Sequence, residues 1–319
     1  MNFGLATICF DSAPETALVV DGRAVPLARI GERRALPALL DAWDAVLPVI
    51  TQAAADADLF VGAPALDDLA VQAPYRPRQI FCTGANYKKH VVGLILGDPS
   101  MRTAEQEAQS PAERQARIEA LMDERANGLP FSFLKLPSCV VGPMDDVILP
   151  RNVEKPDWEL ELGVVIGRRA RHVPPERAME HVAGFAVVND VTAREHIFRR
   201  DGSAIGADWL SGKCFPTFLP FGPLIVPRQC IPDPYALQLQ LAVNGKLYQD
   251  ETTADMLISI ERQIAYLSDR VELQPGDLIC TGSPYGNGSA FGVYLQPGDR
   301  MVGTITALGT QRNRCVAEA

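Results

Sequence analysis

The chain has 319 residues, is 47% hydrophobic and carries a formal charge of −9, enough apolar material for the cores of one large and one small domain or of two medium ones. The acidic balance argues against nucleic acid, which needs a basic face to release counterions, and a small anionic substrate would need a local cation. No apolar run reaches the roughly 18 residues of a membrane span, the start MNFGLATICF lacks the basic residues of a secretory signal, and the expected location is cytoplasmic.

Residues 1–10 and 16–30 read as short strands, with Asp-Gly in VDGR as a hairpin turn. Leu36, Leu39, Leu40, Trp43, Val46, Leu47 and Ile50 recur at steps of three and four, which predicts an amphipathic helix over about 36–56. The proline-bearing GAPALDDLAVQAPYRPRQ follows, and a boundary near residue 74 divides a small N-terminal domain (1–74) from a larger one (75–319). From residue 79 short apolar runs alternate with Gly, Pro and Asp, which indicates a β-rich domain of sandwich or barrel type rather than a doubly wound sheet. Within an insertion over about 97–130, Ser110, Pro111 and Glu113 open a helix of about 111–126 that Gly128 and Pro130 stop. It is either surface decoration or a lid, since the insertion begins within ten residues of His90. The seven cysteines stand singly, without metal or disulfide spacing, and read as reduced, buried hydrophobes.

The segment DWELELGVVIG (157–167) puts Glu159 and Glu161 on one face of a strand and Trp158, Leu160 and Leu162 on the other. A strand with one wet face does the same, but VVIG shows no polar alternation, and a second apolar run, GFAVVND, ends at Asp190. If the two strands are neighbours, three carboxylates converge in apolar surroundings and call for a cation. All-oxygen ligation suits Mg²⁺, Mn²⁺ or Ca²⁺, whereas zinc would recruit His or Cys.

These stretches, with TGANYKKH, FLKLPSCVVGP, SGKCFPTFLPFGPLIVP, LQPGDLICTGSPYGNG and LQPGDRMVGTITALGTQRN, closely resemble the fumarylacetoacetate hydrolase family over about 79–313. The resemblance implies a mixed, β-rich fold: a fumarylacetoacetase-type β-roll or barrel catalytic domain beside a small N-terminal α/β domain, paired as a homodimer. It implies Mg²⁺ or Mn²⁺ on Glu159, Glu161 and Asp190, with Asn86 where some members carry a fourth acidic ligand. Lys213 matches the family's site lysine and His90 its general base, while Ser283, Thr281, Asn86 and Tyr87 are expected to bind substrate. Gly286, Asn287 and Gly288 are expected to form a flexible turn at the site mouth, not a phosphate loop.

Family substrates are small anionic 2,4-dioxo acids or related enols. The implied reaction is hydrolysis of a carbon–carbon bond: His90 activates water, and the metal with Lys213 stabilises the enolate. One position departs from this pattern. Gly93 stands where many members place a glutamate that orients the histidine, leaving Asp98, Glu105 or Glu107 as candidate substitutes. Without one, tautomerisation, isomerisation of a 2-hydroxymuconate-like acid or decarboxylation of a 2-oxo dicarboxylic acid becomes the alternative.

Overall fold

The computed structural model describes residues 2–10, 13–97, 110–198 and 206–319. The chain begins with a sheet of order β3-β2-β1-β4, formed by β1 (Phe3–Cys9), β2 (Pro14–Val20), β3 (Arg23–Pro26) and β4 (Ala70–Gln72). Asp21 (φ 48°) and Gly22 (φ 74°) join β2 to β3, both with the positive φ that a two-residue type I′ turn requires. A 3₁₀ turn over Leu27–Ile30 replaces the end of the expected strand. The helix expected over 36–56 is two segments, α1 (Leu36–Asp41) and α2 (Trp43–Ala54), broken at Ala42 (φ −117°, ψ 26°). The break lies upstream of Pro48, which lacks an N–H and crowds the carbonyl one turn before it. Leu36, Leu39, Leu40, Trp43, Val46 and Ile50 are nevertheless all buried.

A six-stranded sheet carries the centre of the molecule, in the order β14 (Val226–Pro227), β11 (Val182–Asn189), β10 (Leu160–Ile166), β17 (Leu278–Cys280), β5 (Ile80–Gly84) and β6 (Phe131–Lys135). Only β17 and β5 run parallel. A five-stranded sheet has the order β16 (Lys246–Thr252), β15 (Gln238–Val243), β18 (Arg300–Ile305), β19 (Gly309–Ala317) and β8 (Val147–Leu149). Two short pairs, β7 (Val140–Val141) with β13 (Leu219–Pro220) and β9 (Pro156–Asp157) with β12 (Thr192–Ala193), complete the strands. The fold is mixed and strand-rich as expected, and among the described residues the sheets stay open rather than closing into a barrel.

Every residue of β10 is buried, because both of its faces are covered. Leu160, Leu162 and Val164, with Phe185 and Val187, meet Leu239, Leu241, Met301 and Ile305 of the second sheet. On the opposite face Val165, Ala186, Val188 and Leu278 meet Leu5, Leu18, Leu39, Leu40 and Trp43. Two-sided burial accounts for the unalternating VVIG run. The second core crosses residue 74, and Leu5 and Ile225 exchange backbone hydrogen bonds of 2.9 and 2.8 Å across it.

The helices lie around this frame. α3 (Lys88–Gly97) follows β5, and α4 (Pro111–Ala126) has the expected capping box on Ser110 and Glu113. Ile118 and Met122 of α4 pack against Val91 and Val92 of α3, and Arg262 donates to the carbonyls of Ala126 and Gly128. α5 (Pro175–Ala178) packs on α8 (Ile260–Ser268), while α6 (Arg194–Ile197) packs on α7 (Trp209–Lys213), which stands beside edge strand β6 of the central sheet. No helix among the described residues is long and apolar enough to cross a membrane.

Candidate active site

Strand register brings the three carboxylates together. Leu160 lies opposite Asn189, the Asp190 N–H donates to the Glu159 carbonyl at 2.8 Å, and the Asn189 side chain accepts from the Glu159 N–H at 2.8 Å. One carboxylate oxygen each from Glu159, Glu161 and Asp190 lies within 4.8 Å of the others. All three residues are buried, so the wet-face reading of this strand fails.

The protein's own cations meet part of this charge. The Lys213 ammonium donates to Glu159 Oε2 at 2.7 Å and to Asp190 Oδ2 at 2.5 Å. Lys135 donates to the other Asp190 oxygen and, at 2.9 Å, to the Val191 carbonyl. Arg194 reaches Glu159 Oε1 at 2.6 Å and Asp157 Oδ2 at 2.7 Å. Burial works to raise the pKa of Glu159, but Lys213 and Arg194 outweigh it and hold the carboxyl at about 2. Burial also works to lower that of Lys213, and Asp190 and Glu159 more than offset it.

Glu161 differs. It accepts from the Gly282 N–H at 2.8 Å, and burial, then Asp190 and other neighbouring acidic groups, push its pKa well up. The protein's cations thus compensate two carboxylates and leave the third facing them. That arrangement, with an all-oxygen donor set at this spacing, fits a hard divalent ion on Glu159, Glu161 and Asp190. When bound, such an ion supplies Lewis-acid polarisation of a chelating substrate oxygen.

His90 lies on α3 and is 6% exposed. Burial pushes its pKa down; Glu159 opposes the shift, Arg194 and Lys213 reinforce it, and the ring titrates at about 4. The imidazole is therefore neutral at physiological pH and able to accept a proton. Among the described residues no carboxylate hydrogen-bonds it; Asp98, Glu105 and Glu107 lie outside the described residues. At Gly93, a Cβ would come within 2.6 Å of the Tyr285 ring.

The residues expected to bind substrate are spent largely on the scaffold. The Asn86 amide donates to the carbonyls of Ile258 (3.1 Å) and Thr281 (2.8 Å) and accepts from the Ile258 N–H (2.9 Å). Thr281 donates to the Leu162 carbonyl at 2.9 Å. Ser283 accepts from Gln249 at 3.0 Å and from Asn287 at 3.2 Å. Tyr87 is fully buried, and burial raises its pKa.

The turn at 286–288 is a locked strut, not a flexible one. Trp158 Nε1 donates to the Gly286 carbonyl at 3.0 Å, Asn287 donates to the Trp158 carbonyl at 2.9 Å, and the Gly288 N–H donates to Asp157 at 2.7 Å. Sequence reasoning gave no role to Lys135, Arg194 or Asp157. Their signal was a lone lysine in the apolar FSFLKL run, and charged residues flanking the two carboxylate motifs.

Comparison with known proteins covers the part of the chain that carries these residues. Residues 79–316 match the model of the fumarylacetoacetate (FAA) hydrolase C-terminal domain. The chain is 37% identical over 242 residues to the human mitochondrial oxaloacetate tautomerase FAHD2B, covering 75% of this chain and 67% of that one. Across the curated relatives it matches, it spans 59% to 67% of their length. A probable 2-hydroxyhepta-2,4-diene-1,7-dioate isomerase from Mycobacterium abscessus superimposes with a TM-score of 0.76 at 26% identity, covering 100% of both chains. A maleylpyruvate hydrolase from Sphingobium, solved with manganese(II) and pyruvate, gives 0.72 at 25%, covering 99% of this chain and 100% of that one. On the match of its larger part and the shared fold, the chain belongs to the fumarylacetoacetate hydrolase family.

Proposed function

We propose that this protein is a divalent-metal-dependent tautomerase or isomerase of a small anionic 2-oxo acid with an enolisable C3, such as oxaloacetate or a 2-hydroxymuconate-like acid. The observation that carries the reading is a buried His90 on the helix flanking the carboxylate cluster, with no carboxylate partner among the described residues and an aromatic ring seated where a side chain at 93 would stand. Such a histidine is suited to a proton shift: the enol oxygen loses a proton, C3 gains one, and no water is consumed. Lys213 and Arg194 hold Glu159 ionised, and Lys213 and Lys135 pair with Asp190, so the chain's own cations offset most of the cluster's charge and a bound divalent ion would leave the site positive toward an anionic substrate despite the overall −9. Mg²⁺ or Mn²⁺ suits the donor set. The human relative is an oxaloacetate tautomerase and the mycobacterial one a probable isomerase, which supports this reading.

Hydrolysis of a 2,4-dioxo acid is the second reading. Its support is that a neutral imidazole can also take a proton from water, and that the Sphingobium relative is named a hydrolase. A homodimer belongs to either reading. Phe131, Leu134 and Leu136, exposed along and just beyond edge strand β6, with Leu210 on adjacent α7, are the kind of apolar surface a second copy would cover; a monomer mass by light scattering would reject it.

The test is to incubate Mn²⁺-loaded protein with oxaloacetate enol, acylpyruvates and 2-hydroxymuconate-like acids, following enol absorbance and product mass. Loss of enol with unchanged mass supports the first reading, and cleavage to pyruvate plus an acid supports the second. Release of carbon dioxide, or no turnover, overturns both.

A further inference from the structure

We propose that Tyr285 is the residue that sets the reaction outcome at this site. Its ring is seated on Gly93, in the space that a side chain at that position, such as a carboxylate partner for His90, would need. The inference rests on the tautomerase reading above and adds the residue responsible for it.

Glycine inside a helix costs roughly 0.5–1 kcal/mol relative to alanine, so Gly93 within Lys88–Gly97 needs a reason. The reason is steric. A Cβ at 93 would lie 2.6 Å from Tyr285 Cε2 and 2.9 Å from Cδ2, and even an alanine would have to displace the ring. Residues three apart on a helix are surface neighbours. The ring that covers Gly93 therefore lies against the side of α3 that presents His90.

Tyr285 is held there from both directions. Before it, Ser283 is gripped by Gln249 and Asn287. After it, Gly286 (φ 111°) leaves no room for a side chain, since a Cβ would lie 2.3 Å from the Tyr248 carbonyl, and its own carbonyl accepts from Trp158. Phe291 contacts the ring at 6.1 Å between centroids. Because Trp158 precedes Glu159 directly, the loop that places Tyr285 is tied to the strand bearing the metal-type carboxylates, and the ring rests on the helix bearing the base. Tyr285 is a positioning residue: it acts by occupying space beside His90.

The test compares wild type, Gly93→Ala, Gly93→Glu, Tyr285→Ala, Tyr285→Phe and Gly93→Glu/Tyr285→Ala, all Mn²⁺-loaded. The measurements are melting temperature, kcat and KM for enol loss, and the ratio of cleavage to tautomer product. Gly93→Ala and Gly93→Glu should each lower kcat about tenfold or more with a smaller change in KM, because a displaced ring disturbs the geometry at the base. Adding Tyr285→Ala to Gly93→Glu should recover most of that loss and raise the cleavage ratio about tenfold, while Tyr285→Phe, which keeps the ring, should retain the wild-type ratio. If Gly93→Glu does not fold, Gly93→Ala with and without Tyr285→Ala carries the same comparison. Unchanged kcat in the Gly93 variants, no recovery in the double variant, or an unchanged product ratio overturns the role of Tyr285 while leaving the tautomerase reading intact. A wild type that only cleaves overturns that reading and this inference together.

Discussion

Asp190 sits between the ammonium groups of Lys135 and Lys213, all three side chains essentially inaccessible to solvent. Removing its charge leaves buried Lys135 without a carboxylate and Lys213 with Glu159 alone, so Asp190→Asn should destabilise the protein by about 3–5 kcal/mol, measured by urea unfolding, and abolish Mn²⁺ binding by calorimetry. Metal retained at wild-type affinity in both Asp190→Asn and Glu159→Gln would reject the ligand assignment. His90 makes a separate pH prediction. Its folded pKa is depressed from 6.5 to about 4, so between those values the unfolded chain binds a proton that the folded chain refuses. The stability it contributes is fully present above pH 6.5 and is lost as pH falls to about 4, by about 3 kcal/mol. Melting temperatures across that window should fall less steeply in His90→Asn than in wild type; parallel slopes would show that His90 does not titrate this way. The carboxylates were legible as residues because strand alternation is local. Lys135 and Arg194 were not, because only strand pairing and the fold of the 131–135 and 194–197 segments bring them to the cluster.

At the scale of elements, the contrast is between α4 and the 286–288 loop. The helix begins at Ser110 and ends near Gly128 as its sequence indicates, because a capping box is written within four residues. Ser110→Ala should cost about 1 kcal/mol and lower the melting temperature measurably. Because α4 packs on α3, hydrogen exchange should rise in both helices, and protection unchanged in α3 would show that the two are uncoupled. The loop reads as flexible from glycine content alone, yet its partners are Asp157 and Trp158, far away in the chain. A Cβ at Gly288 would lie 2.0 Å from the Val293 carbonyl and 2.8 Å from Asp157. Gly288→Ala should therefore cost about 3 kcal/mol or more and disturb the Asp157–Arg194 pair, with activity falling alongside melting temperature. A fully stable Gly288→Ala protein would contradict the locked loop. The break at Ala42 is a smaller case, in which the periodic stripe is right but does not show where the backbone bends.

For the molecule as a whole, the apolar core that joins Leu5, Leu18 and Trp43 to Val165, Val188 and Leu278 predicts one cooperative unfolding transition. Circular dichroism and tryptophan fluorescence should give coincident melts, and a chain starting at residue 75 should aggregate by exposing that face; two separated transitions would show independent folding units. Turns, caps, strand runs and the carboxylate motifs act over a few residues, so the β-rich class, the α4 boundaries, the metal-type triad and the family resemblance could all be read from the sequence by itself. Only the tertiary structure decided that three cations share the carboxylate cluster, that Asn86 and Thr281 are committed to the backbone, and that Tyr285 fills the space at Gly93. These are contacts between segments distant along the chain, and their energies depend on burial and distance, which no local pattern specifies.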